Sequence, residues 1–234
     1  MEGQHIQEMF HAIAPRYDFL NRLLSVKQDI KWRKALVEAL RLPDNSRVLD
    51  IATGTGDVAI EVVRRKGRSV TVWGVDFALG MLQLGRKKIA GANLDANIRQ
   101  AQGDAFYPPF KQGVFDAVTC AFGIRNISDK KKVLKVFFDL LKPGGQVLIL
   151  ELTLPKTGFM KYLYLIYFQR VLPVIGKMIS KVSEAYSYLP QSVLHFPPRA
   201  AFCSLLRDAG FEDVSCKPLT VGICTLFSGV KPEK

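Results

Sequence analysis

Cysteine is scarce, with four residues in 234, and histidine scarcer still with three. Cys120, Cys203, Cys216 and Cys224 are widely spaced, form no C-x-x-C pair and have no histidine at zinc-ligand spacing. That pattern excludes a disulfide scaffold and a metal site, and leaves reduced, mostly packed thiols. The opening Met1-Glu2-Gly3-Gln4-His5 lacks the basic and apolar regions of a secretory signal peptide, so the expected location is the cytoplasm. Long apolar runs are missing too. The greasiest stretch, Phe159 to Gly176, is interrupted by Lys161, Gln169, Arg170 and Pro173 before about 20 apolar residues accumulate, so it should not span a bilayer. No internal repeat, Ser/Gly linker or low-complexity block occurs, and 18 Gly with 12 Pro is too few for a fibre or a disordered tail.

What is present is enough apolar material for a real core, 48% of the chain, and a formal charge of +12. The charge invites an anionic partner, whether nucleic acid, a membrane surface or an acidic substrate, without choosing among them.

Apolar periodicity predicts three helices at the start, over Gly3 to Ile13, Arg16 to Leu24 and Asp29 to Leu40, punctuated by Pro15 and Pro43. From Arg47 the period changes. Val48-Leu49-Asp50-Ile51 reads as a buried strand, Gly54-Thr55-Gly56 as a turn and Asp57 to Arg65 as a helix. Strands over Val70 to Asp76, Asn97 to Gln102, Phe115 to Ala121 and Gln146 to Leu152 alternate with helices over Leu79 to Ile89 and Lys130 to Leu141, the last stopped by Pro143-Gly144-Gly145. Such alternation implies an α/β, doubly wound, mostly parallel Rossmann-like sheet. A helical, aromatic-rich insertion from about Thr157 to Val182 has the look of a lid. Tyr186 to Pro190, a helix from Pro198 to Ala209 and two closing strands follow. We expect one domain over 1–234, with a helical cap (1–45), a cofactor-binding core (46–153), the lid (154–197) and a closing helix with strands (198–234).

Gly54-Thr55-Gly56-Asp57-Val58-Ala59 matches G-x-G-x-x-A between a strand and a helix, a pattern that by itself suggests a dinucleotide. Asp50 at the strand end argues otherwise. A carboxylate there would repel a pyrophosphate, whereas S-adenosylmethionine carries an ammonium, a sulfonium and ribose hydroxyls but no phosphate. Asp76, at the end of the second strand 20 residues past Gly56, can accept hydrogen bonds from ribose hydroxyls in either cofactor class. Asp104-Ala105, just past the third strand, offers a side-chain acceptor for an adenine amino group and a backbone N–H for a ring nitrogen.

The chain resembles the UbiE/MenG family of class I methyltransferases over nearly its whole length. The resemblance rests on Tyr17-Asp18-Phe19-Leu20-Asn21 with Ser25 and Trp32, on Val48 to Asp57, and on Val75-Asp76-Phe77 with Gly80-Met81-Leu82. It rests further on Phe122-Gly123-Ile124-Arg125-Asn126 with Asp129, on Leu141-Lys142-Pro143-Gly144-Gly145 running to Glu151, and on Tyr186-Ser187-Tyr188-Leu189-Pro190 with Ser192 and Phe196-Pro197. It implies a class I methyltransferase fold and C-methylation of a polyprenylated quinol with S-adenosylmethionine. Asp50, Gly54, Thr55, Gly56, Asp76, Phe77, Asp104, Ala105 and Ala121 are the expected cofactor residues. Leu20, Asp29, Ala121 and Asp139 depart from the family's usual residues. At 29 a histidine is replaced, which reads as a lost surface contact or a changed quinol pocket.

Carbon methylation needs an electron-rich ring carbon aligned behind the transferred methyl group. A cation beside the ring hydroxyl favours the phenolate that supplies the electrons. Arg125, just past the fourth strand, is the candidate, with Asn126, Tyr17 and Tyr186 as hydrogen-bonding partners of the ring oxygens. Guanidinium stays protonated, so its expected work is phenolate stabilisation or water orientation. Arg125 also stands four residues before Asp129, at the spacing of an ion pair that would hold the loop.

The expected partners are the polyprenyl quinol and, through Lys156, Lys161, Arg170, Lys177 and Lys181 at the ends of the tyrosine-rich helix, the anionic inner face of a membrane. A homodimer is compatible with this reading. Lys130-Lys131-Lys132 reads as a solvated helix start. Nucleic acid is not expected as a partner, because Tyr107-Pro108-Pro109-Phe110 lacks the leading Asn or Asp of an amino-methylating motif and precedes the fourth strand instead of following it. Other readings of the turn are a methyltransferase for another small molecule, a non-catalytic cofactor-binding scaffold, and an NAD-dependent oxidoreductase, the last disfavoured by Asp50.

Overall fold

The structure is a computed structural model that describes residues 17–155, 158, 162, 164, 166 and 183–233, the side chains of 183–187 excepted. The expected helix over Gly3 to Ile13 and nearly all of the lid over Thr157 to Val182 lie outside the described residues, as do Lys156, Lys161, Arg170, Lys177 and Lys181.

Helices α1 (Tyr17–Leu24) and α2 (Gln28–Ala39) precede the sheet, as their apolar spacing predicts. The core then alternates β1 (Arg47–Ile51), α3 (Asp57–Lys66), β2 (Thr71–Asp76), α4 (Leu79–Gly91), β3 (Ile98–Gln102), β4 (Phe115–Ala121), α5 (Lys130–Leu140) and β5 (Leu141–Leu152). Helices α6 (Ser183–His195) and α7 (Arg199–Asp208) and strands β6 (Glu212–Leu219) and β7 (Cys224–Val230) complete it. The seven strands lie in the order β3-β2-β1-β4-β5-β7-β6. Those from β3 to β5 pair parallel; β7 pairs antiparallel with both β5 and β6. The loop between β6 and β7 is too short for a crossover, so these two strands can only form an antiparallel hairpin.

Alternation along the strands sorts side chains onto two faces. Leu49, Ile51, Val118, Cys120, Val147 and Ile149 face α5 and α7. Val48, Val72, Ala117, Leu148 and Leu150 face α2 and α3. Phe202 stacks against Phe196 and Phe227 with ring centroids 5.0 and 4.7 Å away, and burying aromatic rings of this size stabilises each by about 1.5–3 kcal/mol. The chain order reverses between β1 and β4, which opens a crevice at the strands' carboxyl ends, where open α/β sheets bind ligands.

One element differs from the expectation. β5 begins at Leu141, not Gln146: Pro143-Gly144-Gly145 interrupts the pairing with β4 as a bulge, and Lys231 bonds across it to Gly144 and Gly145. The segment Tyr186 to Pro190 lies within α6, which runs on through Pro190.

Candidate active site

At the crevice the ends of β1, β2 and β4 surround an open cleft lined mostly by apolar and backbone groups, the place where sheets of this kind bind ligands. Close approach of backbone makes it. A Cβ on Gly123 would collide with the Ala52 Cβ, so the second residue after β4 can rest on the residue after β1 only without a side chain. A Cβ on Gly74 would fall 2.8 Å from the Thr53 side chain, and that bare spot lets Thr53 reach back to Asp50.

Of the residues expected to bind cofactor, Gly54, Asp76, Phe77, Ala105 and Ala121 line the cleft, joined by Met81. Asp76 is buried at the end of β2. Its Oδ2 accepts from the Gly54 N–H at 2.8 Å and its Oδ1 from the Ala78 N–H at 2.9 Å, so one carboxylate fixes both the glycine turn and the start of α4. Burial pushes its carboxyl above the ordinary value, against the pull of these N–H groups.

Asp50, Thr55, Gly56 and Asp104 do not line the cleft. Asp50 points from β1 to the α2/α3 face, fully buried, and accepts from Thr53 Oγ1 at 2.6 Å and Thr119 Oγ1 at 2.7 Å. It holds the turn from beneath. Asp104 is exposed and accepts from the Phe106 N–H at 2.9 Å, while its neighbour Ala105 faces the cleft. Thr55 is buried and donates to Asp18 Oδ1 at 2.7 Å.

Asp18 also takes Lys88 Nζ at 2.7 Å, and Lys88 pairs in turn with Asp57. Burial opposes ionisation of Asp18, but the hydrogen bonds from Lys88 and Thr55 outweigh it and hold the carboxyl below its usual value. Asp57 lies 3.5 Å from Arg33, which binds Asp29 at 2.5 Å. Asp29 is therefore buried in a network joining the helical cap to the glycine turn. It is neither a lost surface contact nor a residue of the cleft, because α2 turns it inward.

Burial pushes the Asp50 carboxyl up to about 6, against about 3.9 in an unfolded chain. A carboxyl raised on folding contributes stability that is full below about pH 4 and lost as pH climbs through 6. Relative to the wild type, Asp50→Asn should gain about 2 kcal/mol between pH 4 and pH 7, read by urea unfolding across that range. A difference that stays flat with pH would show that Asp50 ionises as readily folded as unfolded.

The other half of the site follows β4. A turn of 3-10 helix, Ile124–Asn126, carries Arg125 and Asn126. Tyr17, whose phenol burial pushes upward, and Asn126 line the cleft. Arg125 stands beside them with only 8% of its side chain exposed. Its ion-pair partner is Glu151 of β5, not Asp129: Nη1 lies 2.8 Å from Glu151 Oε1 and 2.5 Å from the Phe122 carbonyl, and the Arg125 N–H reaches Glu151 Oε2 at 3.1 Å. Asp129 caps α5, accepting from the Lys132 N–H at 2.9 Å. The buried Arg125 Nε has no partner among the described residues. Lys130 folds back onto the Ile127 carbonyl at 2.9 Å, so the lysine run is only partly solvated.

Tyr186 lies on α6 with its side chain outside the described residues. Two residues on, Tyr188 donates to Asn126 Oδ1 at 3.1 Å, a partnership that sequence reasoning missed. Glu151 was missed as well. It stands among the residues of the family resemblance without a role there; its further signal is an acid after the apolar run Val147 to Leu150, and it is wholly buried.

Among the described residues Asp76 is the one charged residue lining the cleft, and an acid in that place can serve ribose hydroxyls in either cofactor class. Asp50, buried on Thr53 and Thr119 away from the cleft, does not repel a pyrophosphate there, contrary to the expectation. The cleft lining supplies no cation for a pyrophosphate, and offers apolar walls in Val75, Met81 and Ala105.

The model of the ubiE/COQ5 methyltransferase family matches residues 1–231. The chain is 46% identical over 233 residues to a ubiquinone/menaquinone biosynthesis C-methyltransferase of Geobacter sulfurreducens, covering 100% of this chain and 91% of the relative. It is 42% identical to a demethylmenaquinone methyltransferase of Thermus thermophilus, covering 96% and 100%. Among solved structures it is similar to a Haemonchus contortus phosphoethanolamine N-methyltransferase bound to S-adenosylmethionine, with TM-score 0.64 and 18% identity over 88% of this chain and 52% of that one. It is also similar to a methyltransferase in complex with the Haloferax volcanii Trm112 activator, with TM-score 0.69 and 18% identity over 95% and 97%. At these identities the structural likeness speaks for the fold.

Proposed function

The chain belongs to the ubiE/COQ5 methyltransferase family, and from that premise we propose that it moves a methyl group from S-adenosylmethionine to a ring carbon of a polyprenylated quinol, either a demethylmenaquinol or a methoxy-benzoquinol. One observation carries the assignment of roles: a guanidinium, Arg125, anchored on a buried carboxylate at the edge of a cleft whose one charged lining residue is Asp76.

When bound, the cofactor supplies an electrophilic methyl group. Gly54, Phe77, Ala105 and Ala121 shape its side of the cleft, with Asp76 as acceptor for the ribose hydroxyls. Asp50, Thr55 and Gly56 support the turn from below, and the exposed Asp104 with its neighbour Ala105 forms the rim for the base. Arg125 favours the phenolate form of the ring hydroxyl, and with it the nucleophilicity of the adjacent carbon. Glu151 engages Nη1 and leaves the Arg125 Nε–H without a partner among the described residues, a donor for the phenolate oxygen. Asn126, its Oδ1 taken by Tyr188, has its NH₂ group for a ring oxygen, and Tyr17 closes the cleft over both. Tyr186 is retained as a further partner of the ring. The chain acts as one domain, 1–234, with its cap and lid on either side of the site. It reaches its substrate at the anionic face of a membrane, and no helix among the described residues is long and apolar enough to cross one.

The test is mass-spectrometric detection of methylated product from labelled S-adenosylmethionine and chemically reduced demethylmenaquinone, beside the oxidised quinone and a reduced methoxy-benzoquinone. Product from a reduced ring alone is expected. Equal product from the oxidised ring, or none despite bound cofactor, would overturn the assignment.

A further inference from the structure

Two turns meet at the N-terminal end of α2, and each presents a valine outward. Val26 has φ 52° and is 77% exposed; Val221 has φ 56° and is 62% exposed. The left-handed region costs an ordinary residue roughly 1–2 kcal/mol, and β-branched residues avoid it more than most. Neither side chain recovers that cost by burial. The turns are fixed at one corner: Trp32 Nε1 donates to Thr220 Oγ1 at 2.8 Å, and the Thr220 hydroxyl lies 3.5 Å from Gln28 Oε1. The Val26 and Lys27 N–H groups bond back to the Leu23 and Arg22 carbonyls at 3.1 and 2.7 Å, which adds exposed Leu23 and Arg22 to the corner.

Charge completes the pattern. Arg22, Lys27, Lys31 and Lys34 are exposed. The one acid between Phe19 and Val37 is Asp29, which is buried against Arg33. Strained, exposed apolar tips amid uncompensated lysines fit an anionic interface with an apolar layer beneath it.

We infer that this corner docks on a bilayer containing anionic lipids, with Val26, Val221 and Leu23 entering the headgroup boundary and the basic side chains meeting the phosphates. The inference rests on the reading that the acceptor carries a polyprenyl tail. Helix α1 runs from Tyr17 at the cleft to Leu24 at the corner, eight residues or about 12 Å. A ring seated in the cleft is thus close enough to the docked surface for most of its tail to stay in the bilayer.

Asparagine tolerates the left-handed region, so the double variant Val26→Asn/Val221→Asn should fold at least as stably as the wild type while losing its apolar tips. The full chain is sedimented with phosphatidylcholine vesicles, with and without phosphatidylglycerol, at low and high salt. Expected are binding of the wild type to the phosphatidylglycerol vesicles at low salt and about a tenfold loss of affinity in the double variant. A second variant, Lys27→Glu/Lys31→Glu, leaves Arg22 and Lys34 and should weaken both the binding and its salt dependence. Wild type that ignores both vesicle types, or valine variants that bind as the wild type does, would overturn the inference. So would a dimer in light scattering that the valine substitutions dissolve, because it would assign the corner to a second copy of the chain. A reduced demethylmenaquinone with a single prenyl unit, assayed without vesicles, separates this from the catalytic reading. Wild type and double variant should methylate it equally, and no turnover by either would condemn the catalytic reading whatever the vesicles show.

Discussion

Glu151→Ala should cost about 3–5 kcal/mol, because it leaves the Arg125 guanidinium buried without its counter-charge. In a chain of this size the melting temperature falls by about 10 °C. Below that temperature the variant is folded, yet methyl transfer drops by about a hundredfold or more, because Arg125 is no longer held beside Asn126 and Tyr17. Glu151 takes three N–H groups, from the Arg125 side chain, the Arg125 backbone and Leu152, so removing it frees donors in the sheet as well as the cation. The companion variant is Arg125→Met/Glu151→Leu. Replacing both charges by apolar groups of similar bulk removes the uncompensated ion, and this variant should be more stable than Glu151→Ala while remaining inactive. Chemical unfolding of the single and double variants checks the cycle. A double loss equal to the sum of the single losses would mean that the two side chains act independently.

The second large effect concerns the cofactor. Asp76→Ala should weaken S-adenosylmethionine binding about a hundredfold, the order expected when a charged acceptor of hydroxyl hydrogen bonds is lost. Part of that loss is indirect, since the carboxylate also secures Gly54 and Ala78. Asp76→Asn keeps one acceptor oxygen and should fall between wild type and alanine. Calorimetric titration measures all three, and an unchanged affinity would remove Asp76 from the site. At saturating cofactor the variants should retain turnover, unlike Glu151→Ala, so the two substitutions divide the cleft into a binding half and a reacting half.

The alternation of strands and helices was legible because most central strands carry apolar runs set off by polar residues, as Val147 to Leu150 is between Gln146 and Glu151. That Asp76 and Ala105 line the cleft was legible from the distance of Asp76 to the glycine turn and from the place of Ala105 just past the third strand. Pro143-Gly144-Gly145 rightly marked the end of a helix, at Leu140, but hid that the next strand already starts at Leu141 and only bulges there. Interactions between elements distant in sequence were the least legible. The i,i+4 rule offered Asp129 to Arg125, but the loop turns the guanidinium toward β5, 26 residues away in sequence. For Asp29 the sequence leaves open a surface contact or the quinol pocket: its own partners, Ser25 and Arg33, stand four residues to either side, but the contact of Arg33 with Asp57, which ties it to the glycine turn, comes from another helix. Asp50 was rightly noticed as an acid by the turn, but strand alternation decided which face it serves, and that face is not the cleft.

The thiols have a practical consequence. Cys120 and Cys224 are buried, and burial lifts both well above the ordinary thiol range. Cys203 is lifted to about 11, by burial first and then by neighbouring Cys216. Cys216 alone is exposed, on β6 at the edge of the sheet, four strands and so about 19 Å from β1. The unaltered protein thus carries one ready attachment point for a fluorophore or a solid support, on the far flank from the cleft, where immobilisation leaves the site open to the solution.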